Sequence, residues 1–170
     1  MRTSISLGVL LVLGGMVSAG PATRPTLKLT DKEIIAGYEV TLKASKTPDG
    51  IPRRNGIIRT KDGSRVWVAI NGEEGHPVMV TLPEVTLVPG AVEGNAGTLK
   101  VAQRIFCNVV VAENEDAQFK RLVRDLLDGI KRKESEVSRD FGDVRAVLEA
   151  MPQTNESYID VSLRLTRKPG

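Results

Sequence analysis

The sequence has few of the residues that usually carry chemistry or covalent cross-links. Its 170 residues include one cysteine, Cys107, and one histidine, His76. A single thiol cannot form an intramolecular disulfide, so the fold must be held by an apolar core, which a chain of this length can supply. Aromatic residues make up only 4% of the chain. This scarcity argues against a sugar-binding site, because such sites usually present aromatic side chains.

An excess of charge of one sign is also missing. Lysine and arginine total 24 against 21 aspartates and glutamates, a formal net charge of +3. Proteins that bind nucleic acids usually show a larger, clustered basic excess, so we predict no nucleic-acid partner. Two local basic groups, Arg53-Arg54 and Arg59-Lys61-Arg65, lie in turn-rich sequence. We interpret them as solvated turn residues, with a patch for an anionic partner as the alternative.

The longest apolar run, from Ile5 to Val17, is too short for a membrane-spanning helix. It covers about 13 residues, whereas a span needs about 20. Arg2 precedes the run, and small residues end it at Ala19, which is the layout of a secretory signal peptide covering residues 1–19. An uncleaved membrane anchor is the alternative. We therefore expect a secreted or periplasmic protein without a transmembrane helix in its mature form, beginning with a flexible leader over residues 20–26.

The remaining residues, 27–170, predict a single α+β domain. Apolar and polar residues alternate in several stretches before residue 112, which indicates a β-rich part over 27–112. The sequences Thr47-Pro48-Asp49-Gly50 and Lys61-Asp62-Gly63 predict turns between strands. The segment Thr98–Ala112 is apolar on both alternating faces, which favours a strand covered on both sides.

After residue 113 the apolar period changes from two to three and four. The stripe Phe119, Leu122, Val123, Leu126, Leu127 and Ile130 predicts an amphipathic helix on the core. A second stripe at Val144, Val147, Leu148 and Met151 extends the predicted helical part over 114–151, as one kinked helix or two. Residues 157–167 alternate again and predict a closing strand. The fold class is therefore an antiparallel sheet or small barrel, then one or two helices, then a C-terminal strand.

Three residues near the middle of the chain, Glu73, Glu74 and His76, could offer metal ligands or catalytic groups. Neighbouring residues at a hairpin tip point in diverging directions, and no second histidine exists to complete a zinc site. We therefore interpret Glu73-Glu74-Gly75-His76 as the tip of a hairpin and predict no metal.

No cofactor is predicted either. Gly90, Gly94 and Gly97 lack the Gly-Lys-Ser/Thr sequence of a phosphate-binding loop, and they lead into the segment predicted as a strand. Cys107 falls on an apolar face of that segment. A buried, unreactive thiol is the expected outcome, although an intermolecular disulfide stays open.

Trp67 is the candidate interface residue. If Val66, Val68 and Ile70 face the core, Trp67 points the other way beside Arg65, an arrangement typical of an interface anchor. The alternative is that Trp67 belongs to the core. We therefore expect an exported, non-enzymatic protein that binds another envelope or extracellular protein.

Two alternatives to protein binding remain from the sequence. One is an envelope hydrolase that uses acids such as Glu73 and Glu74. The other is a protein that binds a small apolar ligand between helix and sheet, with Ile105–Val111 lining the cavity.

Overall fold

A computed structural model describes residues 26–88, 97–151 and 158–168. Within these ranges the chain forms one antiparallel sheet of seven strands, in the order β1-β2-β3-β4-β7-β6-β5. The strands are β1 (Lys43–Lys46), β2 (Pro52–Arg59), β3 (Arg65–Glu73), β4 (His76–Leu87), β5 (Glu136–Phe141), β6 (Val144–Ala150) and β7 (Ile159–Arg167). The helices are α1 (Asp31–Ile34), α2 (Gly97–Val109) and α3 (Glu115–Lys131).

The two longer helices cover one face of the sheet. Helix α2 contacts β3, β4 and β7, whereas α3 contacts β5 and β6. One apolar cluster fills the space between the helices and the strands, and its sheet side includes Val68, Leu82, Leu148 and Leu163. Because successive strand residues point to opposite faces, the alternate residues of each strand form a second face.

The predicted fold class is confirmed: the protein is α+β, with an antiparallel sheet, amphipathic helices and a closing C-terminal strand. The barrel alternative is wrong, because β1 and β5 are unpaired edges within the described sheet. The C-terminal strand does return to the sheet, and it lies between β4 and β6 rather than at an edge. The stripe that begins at Phe119 is also confirmed, since Phe119, Leu122 and Leu126 are buried.

The strand predicted at Thr98–Ala112 is wrong. Residues Gly97–Val109 form helix α2. Leu99, Ala102, Ile105, Phe106 and Val109 are buried, and their spacing of three and four residues is that of a helix. The β-branched residues of this segment favoured a strand in the sequence, but packing on the sheet overrides such local preferences. The sequence argument against a phosphate-binding loop at Gly90, Gly94 and Gly97 assumed that a strand follows these glycines. A helix follows instead, so only the missing Gly-Lys-Ser/Thr sequence still argues against such a loop.

The helical prediction over 114–151 is wrong beyond Lys131. Strands β5 and β6 form a hairpin there, in which Phe141 pairs with Val144 around the turn Gly142-Asp143. Gly142 has a φ of +57°, a conformation that favours glycine. Val144, Ala146 and Leu148 are buried on alternate positions of β6, a period of two. Neither the kinked helix nor the second helix exists in this region.

The alternation of apolar and polar residues from Tyr38 to Ser45 predicts a strand that the structure shortens. Tyr38, Val40 and Leu42 pack against the core, but the strand begins only at Lys43. Gly56 lets this segment cross β2 closely, because a Cβ there would lie 2.4 Å from Cγ1 of Val40. The two predicted turns at residues 47–50 and 61–63 do form.

A buried ion pair fixes the short first helix to the sheet. The Arg54 guanidinium, on the covered face of β2, donates two hydrogen bonds to the Asp31 carboxylate, and the one from Nη2 to Oδ1 is 3.0 Å long. Arg54 Nη1 also donates to the carbonyl oxygen of Gly72 at 2.6 Å. Arg54 therefore links α1, β2 and the bulge in β3 at Asn71/Gly72.

The predicted signal peptide, its cleavage after Ala19 and the leader up to residue 25 lie outside the described residues. Among the helices of the described residues, none combines the length and the apolar character that crossing a membrane requires.

Candidate functional site

One face of the sheet is left uncovered by the helices among the described residues. We call it the open face. Strand registers place these residues on it: Lys43 and Ser45; Arg53, Asn55, Ile57 and Arg59; Arg65, Trp67, Ala69 and Asn71; Met79 and Thr81; Ser162, Arg164 and Thr166; Arg145, Val147 and Glu149; Glu136, Ser138 and Asp140.

Trp67 lies on the open face as the alternation predicted. Val66, Val68 and Ile70 are buried, whereas Trp67 is 49% exposed. Ile57 is directly opposite Trp67 on β2, and the next pair on the same face is Arg59 and Arg65. The register therefore places an isoleucine beside Trp67, with two arginines next to this pair on the same face.

The two halves of the open face differ in charge. Strands β1 to β3 contribute Lys43, Arg53, Arg59 and Arg65, which we call the basic half; these strands carry no acid before Glu73, the last residue of β3. No side chain of the basic half forms an ion pair with a described residue. The nearest acid along β4 is Glu84, exposed next to the register shift at Leu82/Val85.

The half formed by β5, β6 and β7 is compensated internally. Arg164 Nη2 lies 3.3 Å from a Glu136 oxygen and 3.2 Å from a Glu149 oxygen. Arg145 Nε lies 2.8 Å from Asp140, and hydrogen bonding from Arg145 lowers the pKa of Asp140 to about 2. A charged partner would therefore be attracted chiefly to the basic half.

Comparing an anionic with a cationic quencher of Trp67 fluorescence should detect this charge distribution in solution. Trp67 is the only tryptophan in the chain, so its fluorescence reports this surface alone. We expect iodide to quench it more strongly than caesium, because Arg59 and Arg65 attract anions, and added salt should reduce the difference. Equal quenching by both ions at low salt would contradict the basic half, and protection from both would place the indole in a covered site.

Four polar atoms on the open face are buried without a hydrogen-bond partner among the described residues. They are Nε of Arg53, Oδ1 of Asn71, Oγ1 of Thr81 and Nε of Arg164. The four residues lie on adjacent strands, because Arg53 is opposite Asn71 and Thr81 is opposite Arg164. We call this set the polar strip. Most buried polar atoms in proteins are paired, so these four atoms are exceptions that the described residues leave unsatisfied.

Glu73, Glu74 and His76 lie at the tip of the β3–β4 hairpin, as predicted. Glu73 pairs with His76, and Glu74 and Gly75 form the turn. All three side chains are exposed. The described residues contain no group of three or more histidine, cysteine, aspartate or glutamate side chains arranged to hold a metal ion.

The alternative function, binding of a small apolar ligand, assumed that Ile105–Val111 form a strand lining a cavity. The residues up to Val109 belong to helix α2 instead. Ile105, Phe106, Val109 and Val110 are buried in the core between α2 and the sheet. A groove of about 1020 Å³ lies on the other side of α2. It is lined by mixed polar and charged residues, including Tyr38, Arg59, Lys100, Arg104, Cys107 and Asp116.

Cys107 is half-buried on α2 in this groove, not on a strand face. Its Sγ donates to Oδ1 of Asp116 at 3.5 Å. Burial, together with the hydrogen bond and charge of Asp116, raises the pKa of Cys107 to about 12. The group is therefore a protonated thiol at neutral pH, which is a poor nucleophile.

Alkylation of Cys107 by iodoacetamide should accordingly be slow at pH 8 and should accelerate only at strongly alkaline pH. Asp116→Asn removes the negative charge that opposes the thiolate, so the pKa of Cys107 should fall and the rate at pH 8 should rise severalfold. The pH–rate profile, followed by mass spectrometry, measures both effects. Asp128→Asn on the exposed surface of α3 is the control, and a similar acceleration there would refute the assigned cause.

The fold and the open face define a two-layer α+β protein with one sheet surface that no described element covers. Comparison of the chain with models of known protein families, with curated proteins and with solved structures finds no match.

Proposed function

We propose that this is an exported protein that binds another protein through the open face of its sheet. The observation that carries the proposal is Trp67, 49% exposed and paired with Ile57 on a face that no described element covers. Tryptophan and arginine are the residues that most often dominate binding energy at protein interfaces, and both occur here side by side. The signal-like sequence of residues 1–19 supports export.

The chemistry of the partner follows from the charge of the surface. The basic half has four cations without a described ion pair, next to the apolar Trp67–Ile57 pair. A complementary partner presents acidic side chains around an apolar one. Burying the indole supplies affinity, whereas the surrounding charges increase the association rate and select against basic partners.

Site-specific photo-crosslinking tests the proposed surface. A photoreactive amino acid at position 57, beside Trp67, should capture one defined protein in the native envelope, and Trp67→Ala should reduce the yield severalfold. The matched position is Val111, an 88% exposed apolar residue just after α2. Capture of the same protein from both positions, or a yield insensitive to Trp67→Ala, would contradict binding through the open face.

Export is tested separately by the mass of the protein recovered from the envelope or medium. Cleavage after Ala19 gives a chain that begins at Gly20, whereas an anchored form keeps residues 1–19. Recovery of the intact chain from the cytoplasm would overturn the export part of the proposal.

A further inference from the structure

The groove beside helix α2 carries side chains of both charges and lies apart from the open face. Its charged lining residues include three cations and three acids: Lys61, Lys100, Arg104, Glu39, Asp62 and Asp116. Its volume of about 1020 Å³ is sufficient for a small ligand. Among the described lining residues only Arg59 also belongs to the open face, so binding in this groove does not depend on the proposed function.

The guanidinium of Arg104 is held in position on one wall of the groove. Its Nε donates to the carbonyl oxygen of Ala36 at 3.2 Å, and its Cζ lies over the ring of Tyr38, 6.0 Å from the centroid. Asn108 donates to the same oxygen of Ala36 and to the carbonyl oxygen of Ile34, so this segment is itself bound to α2. The two terminal nitrogens of Arg104 have no acceptor among the described residues. They are therefore available to a ligand.

Two lysines add positive charge to the groove. Lys100 precedes Arg104 by four residues, so their side chains lie on the same side of α2. Lys61 is in the turn between β2 and β3 and lines the same groove. Neither lysine forms an ion pair with a described residue. The terminal nitrogens of a guanidinium match two oxygens of a phosphate or carboxylate, and the lysines favour a phosphate monoester, which carries a charge of about −1.5 to −2 at neutral pH.

A carboxylate lies about one helical turn from Arg104. Cys107 follows Arg104 by three residues, an advance of about 4.5 Å along the helix axis. Its Sγ lies 3.5 Å from Oδ1 of Asp116, and Oδ2 of Asp116 has no partner among the described residues. Asp62 is engaged in hydrogen bonds of its own turn, and no hydrogen bond from a described residue holds Glu39. Asp116 is therefore the acid best placed to bind an amine on a ligand whose anionic group is at Arg104.

We propose that this groove binds a small zwitterion in which a phosphate monoester and an amine are joined by a short carbon chain. The phosphate binds Arg104, Lys100 and Lys61, and the ammonium group binds Asp116. A ligand with only an anion would leave Asp116 as a repelling charge, and a ligand with only a cation would face Arg104 and two lysines. Phosphoethanolamine is the simplest ligand with both groups.

Isothermal titration calorimetry of the purified protein tests the phosphate end. The probes are phosphoethanolamine, ethyl phosphate, which lacks the amine, and ethanolamine, which lacks the phosphate. We expect phosphoethanolamine to bind about tenfold more tightly than ethyl phosphate, and ethanolamine not to bind. Arg104→Gln should weaken both phosphates by about tenfold to a hundredfold, the usual size of a lost charge-assisted hydrogen bond. Lys100→Gln, at an exposed position, should weaken both severalfold without affecting the fold.

Two acid variants test the amine end. Asp116→Asn should abolish the preference for phosphoethanolamine over ethyl phosphate, because the ammonium group loses its carboxylate, while ethyl phosphate should bind at least as tightly as before. Glu39→Gln removes another carboxylate of the same groove and should keep the preference. If the preference survives Asp116→Asn, or is lost in Glu39→Gln instead, the assignment of the amine to Asp116 is wrong.

Three other outcomes would overturn the proposal. The first is no binding of phosphoethanolamine at millimolar concentrations. The second is an equal loss in Arg104→Gln and in Arg121→Gln, which removes the same charge from an exposed position of α3 outside the groove. The third is equally tight binding of glycerophosphoethanolamine, the diester of lipid headgroups, which would make the ligand a diester. Trp67→Ala should leave phosphoethanolamine affinity unchanged, so this proposal and binding through the open face can fail separately.

Discussion

Asp31→Ala should lower the free energy of unfolding by about 3–5 kcal/mol, because it leaves the buried Arg54 guanidinium without its counter-charge. The side chains of Asp31 and Arg54 are only 8% and 13% exposed, so water cannot replace the lost carboxylate effectively. Denaturant unfolding followed by circular dichroism measures the loss.

Two variants test the cause of that loss. Asp128→Ala removes a carboxylate that binds Lys131 at an exposed site, where 61% of the aspartate side chain is accessible, so it should leave the stability nearly unchanged. The double variant Asp31→Leu with Arg54→Met removes both charges and should be more stable than Asp31→Ala alone. If the double variant were the less stable, the unpaired charge would not be the cause.

Asp31→Ala should also affect the open face of the sheet. Arg54 holds the carbonyl oxygen of Gly72 at 2.6 Å, one residue from Asn71 and at the bulge of β3. Loosening Arg54 therefore loosens the backbone that positions Asn71. We expect Asp31→Ala, under conditions where it remains folded, to reduce the crosslinking yield from position 57, although residue 31 lies on the opposite side of the sheet.

Phe106→Ala should cost about 3–5 kcal/mol, the usual loss for a buried phenylalanine. Phe106 is fully buried on α2, with its ring centroid 5.3 Å from that of Phe119 and 5.1 Å from that of Phe141. The three phenylalanines of the chain thus form one cluster that joins α2, α3 and the β5–β6 hairpin. Removing the central ring leaves a cavity where three elements meet.

Trp67→Ala is the control for Phe106→Ala, because it removes a larger aromatic group from an exposed position. Its effect on stability should be below about 1 kcal/mol, whereas its effect on partner capture should be large. The two substitutions therefore separate folding from binding. A large loss of stability in Trp67→Ala would indicate that the indole belongs to the core and would weaken the proposed interface.

Local alternation was sufficient to predict several features of the fold. The burial of Val66, Val68 and Ile70 and the exposure of Trp67 follow from the period of two in an antiparallel strand with one solvated face. The turns at residues 47–50 and 61–63 follow from residues suited to tight corners. The stripe of α3 follows from its spacing, since charged residues occupy most of the positions between its apolar residues.

The sequence pattern predicted the wrong element where the apolar residues of a segment fitted both the helical period and the strand period. Residues 98–112 are rich in β-branched side chains, yet those at spacings of three and four form the helix face on the sheet. Residues 137–148 have apolar side chains at helix-like spacing, but Gly142-Asp143 forms a tight turn and the segment pairs as a hairpin. The Gly-Asp pair was the local signal that could have identified this hairpin.

The local sequence also gave the wrong structural context for the basic residues. Arg53, Arg59 and Arg65 were interpreted as turn residues, but they lie in strands β2 and β3, on the open face. The alternative interpretation of these residues was a patch for an anionic partner, and the proposed function includes such a patch.

The sequence by itself determined that the chain folds around an apolar core without disulfides, that it belongs to the α+β class, and that Trp67 faces away from that core. These properties depend on composition and on the positions of near neighbours along the chain. Only the tertiary structure brought Arg53, Asn71, Thr81 and Arg164 together, because they come from four strands that the sequence separates widely. Strand order depends on how the whole core packs, and no local pattern specifies it.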